Sequence, residues 1–270
     1  MNQLFSIEGK VIVITGGAGI LGTGMAGHFA SEGAIVVILD RNEAAGQSLA
    51  ADICSKGGKA LFLCTDVLNR EVLEQNREEI VSRYGRIDVL VNGAGGNMAG
   101  ATIPPDKTIF DLDMEAFRKV VDLNLFGTVL PTMVFVKAMV PRKEGCVINI
   151  ASESAFRPLT RVAGYGAAKA AVANFTKYMA GELALKFGSG FRVNAIAPGF
   201  FITEQNRDLL LNRDGSFTDR ARTILAHTPF GRFGEPDELF GTMQWLMSDA
   251  SKFVTGTITL VDGGFDAFSI

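Results

Sequence analysis

Seven short apolar runs restrict the fold more than any other feature of the chain. They are KVIVIT (10–15), AIVVIL (34–39), ALFLC (60–64), IDVLV (87–91), CVINIA (146–151), RVNAIA (192–197) and TITLV (257–261). A strand with one wet face alternates apolar and polar residues. These runs are continuous, which predicts strands of a parallel sheet covered on both faces. Segments such as GTGMAGHFASEG and NREVLEQNREEIVSRYG separate them, with apolar residues at helical spacing and a terminal Gly as stop signal. Strands alternating with helices predict βαβ units. The reading is therefore an α/β fold: one Rossmann-type doubly wound parallel sheet of about seven strands, helices on both faces, over a single domain 1–270. The polar stretch at about 200–235, containing NRDGSFTD, breaks this rhythm just after a strand and reads as a lid. GEPDEL follows, where Pro236 marks a helix start.

Composition narrows the partners. A chain of 270 residues, 47% hydrophobic, can bury a large core without staples. A net charge of -3 offers no electrostatic attraction to nucleic acid. Cys54, Cys64 and Cys146 show neither metal-ligand nor disulfide spacing and read as buried thiols; no metal is expected. His28 and His227 have no partners at metal spacing and read as packed or solvent-facing. The start, MNQLFSIEGK, lacks a basic region followed by an apolar run, so no signal peptide is expected. No stretch reads as the roughly 20 apolar residues that span a bilayer. The expectation is a cytoplasmic protein with no membrane partner.

The first strand runs directly into TGGAGILG (15–22). Glycines permit a tight turn and close approach to a pyrophosphate, and the next helix offers its N-terminal N–H groups. This strand–turn–helix context predicts a dinucleotide site built from Gly16, Gly17, Gly19, Ile20, Leu21 and Gly22. Asp40 ends the second strand, 18 residues after Gly22. A carboxylate there accepts from the adenosine ribose hydroxyls and repels a 2′-phosphate, so NAD is expected over NADP. Arg41, next in line, can instead pair with that phosphate, and Asp40 can also be a plain helix cap. Asp66 and Val67, at the end of the third strand, are placed to meet adenine. Tyr165 and Lys169 in YGAAK lie four apart and therefore on one helical face. An ammonium held there favours the phenolate form of a phenol whose ordinary pKa is about 10.

Together these strings resemble the short-chain dehydrogenases/reductases over nearly the whole chain. TGGAGILG resembles the cofactor turn, with Ile20 where shorter members usually have glycine, a local variant. NGAGG resembles the Asn-Ala-Gly stretch and contributes Asn92, Gly93, Ala94 and Gly95. NAIAPGFFIT resembles the nicotinamide-holding segment, with Pro198, Gly199, Phe201 and Thr203, and DGG (262–264) the C-terminal strand exit. The resemblance implies Tyr165 as general acid/base, Lys169 as its cationic neighbour and ribose ligand, Ser152 as holder of the substrate oxygen, and Asn124 as a helix-bending residue that holds a water. It also implies a homotetramer, with contacts near FTKYMAGELALKF and GFDAFSI.

Substrate signals are local. Arg157 and Arg161 lie between Ser152 and Tyr165, and Arg207 lies on the lid. Guanidinium groups bind carboxylates in a bidentate manner. Asn97 and Glu153 can bind sugar hydroxyls, and these groups favour a small polar, anionic substrate. GAGGNMAGAT, SAFRPLTRVAGYGAAKAAV and VDGGFDAFSI resemble the D-mannonate oxidoreductase (fructuronate reductase) branch of the family. That resemblance implies NAD(H)-dependent interconversion of D-mannonate and D-fructuronate. The alternatives are another sugar-acid or polyol dehydrogenase of the gluconate 5-dehydrogenase type, a keto-ester reductase, or a non-catalytic NAD sensor.

Overall fold

The computed structural model describes residues 3–202 and 207–268. All seven apolar runs form strands: β1 (Val11–Thr15), β2 (Ile35–Asp40), β3 (Lys59–Cys64), β4 (Val89–Asn92), β5 (Gly145–Ile150), β6 (Phe191–Pro198) and β7 (Ile258–Val261). They make one parallel sheet in the order β3-β2-β1-β4-β5-β6-β7. The order reverses beside β1, which opens a crevice at the carboxyl ends of β1 and β4, the place where ligands bind in such sheets.

The helices are α1 (Ile20–Ser31), α2 (Glu43–Ser55), α3 (Arg70–Tyr84), α4 (Met114–Val121), α5 (Gly127–Met139), α6 (Ala163–Phe187), α7 (Arg207–Leu210), α8 (Asp219–Ala226) and α9 (Phe240–Met247). Asn42 and Asn69 cap α2 and α3 by accepting from Ala45 and Val72 N–H groups, and Gly85 ends α3 in the left-handed conformation. Pro236 opens a 3-10 turn that leads into α9.

Adjacent strand residues feed opposite cores. Ile12 and Ile14 of β1 pack with Met25 and Phe29 of α1 and Met243 of α9. Val11 and Val13 pack with Leu73 and Ile80 of α3, Phe135 of α5 and Leu183 of α6. Burial on both faces is the reason the runs show no alternation.

Two expectations need correction. Cys54 and Cys64 are exposed, and only Cys146 is buried, because β3 is the sheet edge and only one flank of α2 meets the sheet. The helical stretch Met114–Arg142 is long and apolar enough to pass for a membrane span, although about half of its apolar window is buried inside this fold. Apolarity there reflects packing of α5 beside the sheet.

Candidate active site

A cleft of about 440 Å3 runs along the carboxyl ends of the strands. Gly16, Gly19, Ile20, Leu21 and Gly22 form one end of its wall. Gly19 stands at the N-cap of α1, and no side chain caps that helix. Its first N–H groups lack intrahelical partners and face the side where an anion would sit. The turn is as tight as the backbone permits: a Cβ on Gly22 would stand 2.2 Å from the Gly16 carbonyl oxygen. The uncapped helix and this cradle fit a pyrophosphate. Ile20 is the first residue of α1 and is exposed at the cleft wall. Gly17 does not reach the cleft; its N–H donates to the Leu39 carbonyl, and a Cβ would press on Ile38.

Asp40 and Arg41 line the cleft beyond this turn. The Asp40 carboxylate accepts from Ala18 N–H at 3.1 Å and from Asn42 N–H at 2.9 Å. An ionised carboxylate has about four acceptor sites, so acceptor capacity remains for a ligand hydroxyl. Val67 lines the wall, but Asp66 does not. Its Oδ1 accepts from the Leu68 N–H in a local turn, and Thr65 takes a place in the wall. Gly93, Ala94 and Gly95 line it too, whereas Asn92 is buried and donates to Thr132 and Asn149. Asn92 thus ties the β4 end to its neighbours.

Pro198, Gly199 and Phe201 line the far end. Phe200, Leu123, Ile150 and Ala151 join them, all apolar residues whose place depends on tertiary packing. Thr203 lies outside the described residues.

Ser152 and Tyr165 meet in the middle of the cleft. The β5 end delivers Ser152, and the first turn of α6 delivers Tyr165. Burial pushes the Tyr165 phenol up from its ordinary pKa, and a hydrogen bond with Ser152 opposes that rise. Lys169 lies one turn further along α6, buried, with its Nζ 5.6 Å from the Tyr165 ring centre. Burial pulls Lys169 down to about 8. Its Nζ donates to the Ile150 carbonyl at 2.7 Å. The expected acidification of the phenol by the ammonium therefore does not dominate here: both side chains are held away from water, which disfavours both charged forms. At neutral pH Tyr165 is a phenol, ready to donate.

Asn124 sits in a π-helical turn, Asp122–Phe126, between α4 and α5. Such turns often mark functional positions in helices. Its amide donates to the Gly96 and Val120 carbonyls and accepts from Gly96 N–H. The side chain therefore serves to anchor the Gly95–Gly96 loop. A Cβ on Gly95 would stand 2.6 Å from Asn124 Oδ1 and 3.3 Å from Lys169 Nζ. Only glycine leaves room above the lysine.

The proposed substrate contacts scatter. Arg157 is bound to the C-terminal tail, donating to Asp266 Oδ1 at 2.8 Å and to the Asp266 carbonyl. Arg207 is exposed at the start of α7, away from the wall of the cofactor cleft. Asn97 donates to Thr102 Oγ1, while its own carbonyl oxygen is buried and unbonded. Arg161 lines a neighbouring cavity.

Glu153 lies fully buried beside Ser152, and neither carboxyl oxygen has a hydrogen-bond partner among the described residues. Burial, with Asp266 and Asp262 adding, pushes it up to about 7 against the pull of Arg157. A raised carboxyl pKa means that the folded protein binds the extra proton between the unfolded value and about 7. Stability is then lost as pH rises through that window. Glu153→Gln is expected to raise Tm by about 2–8 °C at pH 8 and to leave it unchanged near pH 4.5. Equal shifts at both pH values in a melting scan would contradict this assignment.

The family model described as Enoyl-(Acyl carrier protein) reductase matches residues 16–266. The chain belongs to the short-chain dehydrogenase/reductase family, and it is a nicotinamide-dependent oxidoreductase acting on CH-OH groups. It is 44% identical over 273 residues to UxuB, an uncharacterized oxidoreductase of Bacillus subtilis, covering 98% of this chain and 97% of that one. A crystal structure from Haemophilus influenzae, provisionally named a D-mannonate oxidoreductase and holding NAD, is 42% identical with a TM-score of 0.91, covering 98% of this chain and 97% of that one. A gluconate 5-dehydrogenase from Burkholderia cenocepacia, in complex with NADP and tartrate, is 32% identical with a TM-score of 0.87 and 99% coverage of both.

Proposed function

We propose that this protein is an NAD(H)-dependent oxidoreductase that interconverts the secondary alcohol and ketone of a sugar acid, D-mannonate and D-fructuronate. The observation that carries it is Ser152, Tyr165 and Lys169 gathered at one glycine-lined cleft. The NAD-bound neighbour of 42% identity supports the substrate class.

When bound, NAD(H) supplies hydride chemistry at the nicotinamide. Ser152 Oγ holds the substrate oxygen by a hydrogen bond. Tyr165 donates its phenolic proton to that oxygen during reduction and recovers it during oxidation. Lys169, when protonated, stabilises the transient phenolate and holds the nicotinamide ribose. Asn124 fixes the loop over Lys169 and keeps the proton route open. The excursion at 200–235, of which 203–206 lie outside the described residues, is assigned to the same domain as a lid.

Asp40 sets the cofactor preference by accepting from the ribose hydroxyls and repelling a 2′-phosphate. Asp40→Ala is expected to lower kcat/KM with NAD about 100-fold while sparing NADP; an unchanged ratio of the two would count against the assignment. A gluconate 5-dehydrogenase activity with NADP is the second reading. Arg41 in the cleft wall favours it, as does the NADP-bound gluconate enzyme. Uronates, aldonates, polyols and keto-esters offered with NAD(H) and NADP(H) in parallel separate these readings. A homotetramer is part of the proposal, supported by Tyr178 and Leu185 left exposed on α6; sedimentation tests it.

A further inference from the structure

A second cavity, of about 470 Å3, opens between residues 158–161 and α8. Phe200 forms part of its wall and part of the cofactor cleft, so the two spaces adjoin. Phe200 stacks edge-on against Phe265 at 5.2 Å, which makes that wall apolar. Two guanidinium groups, Arg161 and Arg220, line the same space.

Both arginines are half-buried, and neither has a carboxylate partner among the described residues. The carboxylate in the wall, Asp219, is paired with Arg222 at 2.7 Å. Arg220 donates to Thr160 Oγ1 at 3.1 Å, a neutral acceptor that supplies no counter-charge. Burial and the nearby charge of Arg161 both push the Arg220 guanidinium down from its ordinary value. Arg161 also holds a left-handed backbone, φ 75°, which is costly for a side-chain-bearing residue. Its carbonyl is pinned by the Ile103 N–H at 3.0 Å. A protein does not ordinarily face two cations across one partly dry space without an anion to share.

We propose that Arg161 and Arg220 form a clamp for the carboxylate of the substrate, with Thr160 and Thr223 at its rim. This rests on the sugar-acid reading and deepens it. Arg220 of α8 would bind the carboxylate, and Arg157 would not, because the tail already occupies it. An oxyanion of a free phosphate has similar chemistry, so both are tested.

The experiment combines thermal melting with kinetics on the intact protein, Arg220→Gln and Arg161→Gln. D-mannonate, the uncharged D-mannitol and inorganic phosphate are the probes. D-mannonate is expected to raise the Tm of the wild type, D-mannitol to leave it unchanged, and phosphate to give a smaller rise. Each variant is expected to lose the D-mannonate shift and to raise KM about 10- to 100-fold, as for a lost charged hydrogen bond. Its kcat should stay within about threefold and its NADH affinity should not change. Free Arg220→Gln should melt no lower than wild type, since the nearby like charge of Arg161 is no longer opposed.

An unchanged KM and an unchanged D-mannonate shift in both variants would overturn the clamp while leaving the enzymatic reading standing. A larger shift with phosphate than with D-mannonate would overturn the carboxylate assignment. A wild type that turns over no sugar acid would sink the sugar-acid reading and with it the assignment of the clamp to the substrate, even if Arg220→Gln lost a D-mannonate shift.

Discussion

Tyr165→Phe is expected to lower kcat/KM by about 10²- to 10⁴-fold, the range for loss of a positioned general acid. The change removes one oxygen and leaves the ring. That ring packs against the cluster of Ala101, Ala116 and Val120, so the fold should persist. NADH affinity should remain within about threefold, because the turn from Gly16 to Gly22 and the Asp40 carboxylate are untouched. Ser152 would keep its place through the bond its Oγ accepts from Ser154 N–H. Titration by NADH fluorescence and steady-state rates, measured on the same preparation, separate binding from chemistry. Near-normal rates would remove Tyr165 from the role assigned to it.

Gly22→Ala is expected to weaken NADH binding at least about 100-fold and to lower Tm by several degrees. The added methyl would lie 2.2 Å from the Gly16 carbonyl oxygen and 2.7 Å from Gly17 Cα. Both obstacles are backbone, so no rotamer change relieves them. The turn must open, and with it the N-terminus of α1 moves away from the phosphate position. Overpacking of this kind costs about 1–3 kcal/mol or more. Gly27 supplies the control within the same helix. A Cβ there meets nothing within 4 Å, and Gly27→Ala should stabilise by about 0.4–1 kcal/mol through the unfolded chain. If Gly22→Ala binds NADH as well as Gly27→Ala does, the turn is not the phosphate cradle.

The sheet was legible because its strands are buried on both faces, and that leaves a continuous apolar signature in the linear sequence. The Tyr165 and Lys169 pair was legible because helical periodicity alone places them on one face. Their protonation was not, since it depends on burial by residues distant in sequence. Arg157 looked available from its neighbours, but its partner lies 109 residues away at Asp266. Asn92 belonged to a glycine-rich string and yet points into the fold, towards Thr132 and Asn149. Gly17 and Asp66 lie on the right segments but outside the cleft wall, because a turn sends successive residues in different directions. Arg220 had no signal at all: its relevance comes from the packing of α8 against residues 158–161.

In the proposed reaction, proton and hydride reach one carbonyl of a sugar acid within this cleft. The decisive experiment incubates the protein with D-fructuronate and NADH carrying deuterium on the transferable face of its nicotinamide. The expected result is D-mannonate with one deuterium at the new carbinol carbon, in step with NADH consumed, and almost none from Tyr165→Phe. Deuterium retained entirely in the nucleotide, with no consumption of NADH by the wild type, would contradict hydride delivery to the sugar acid.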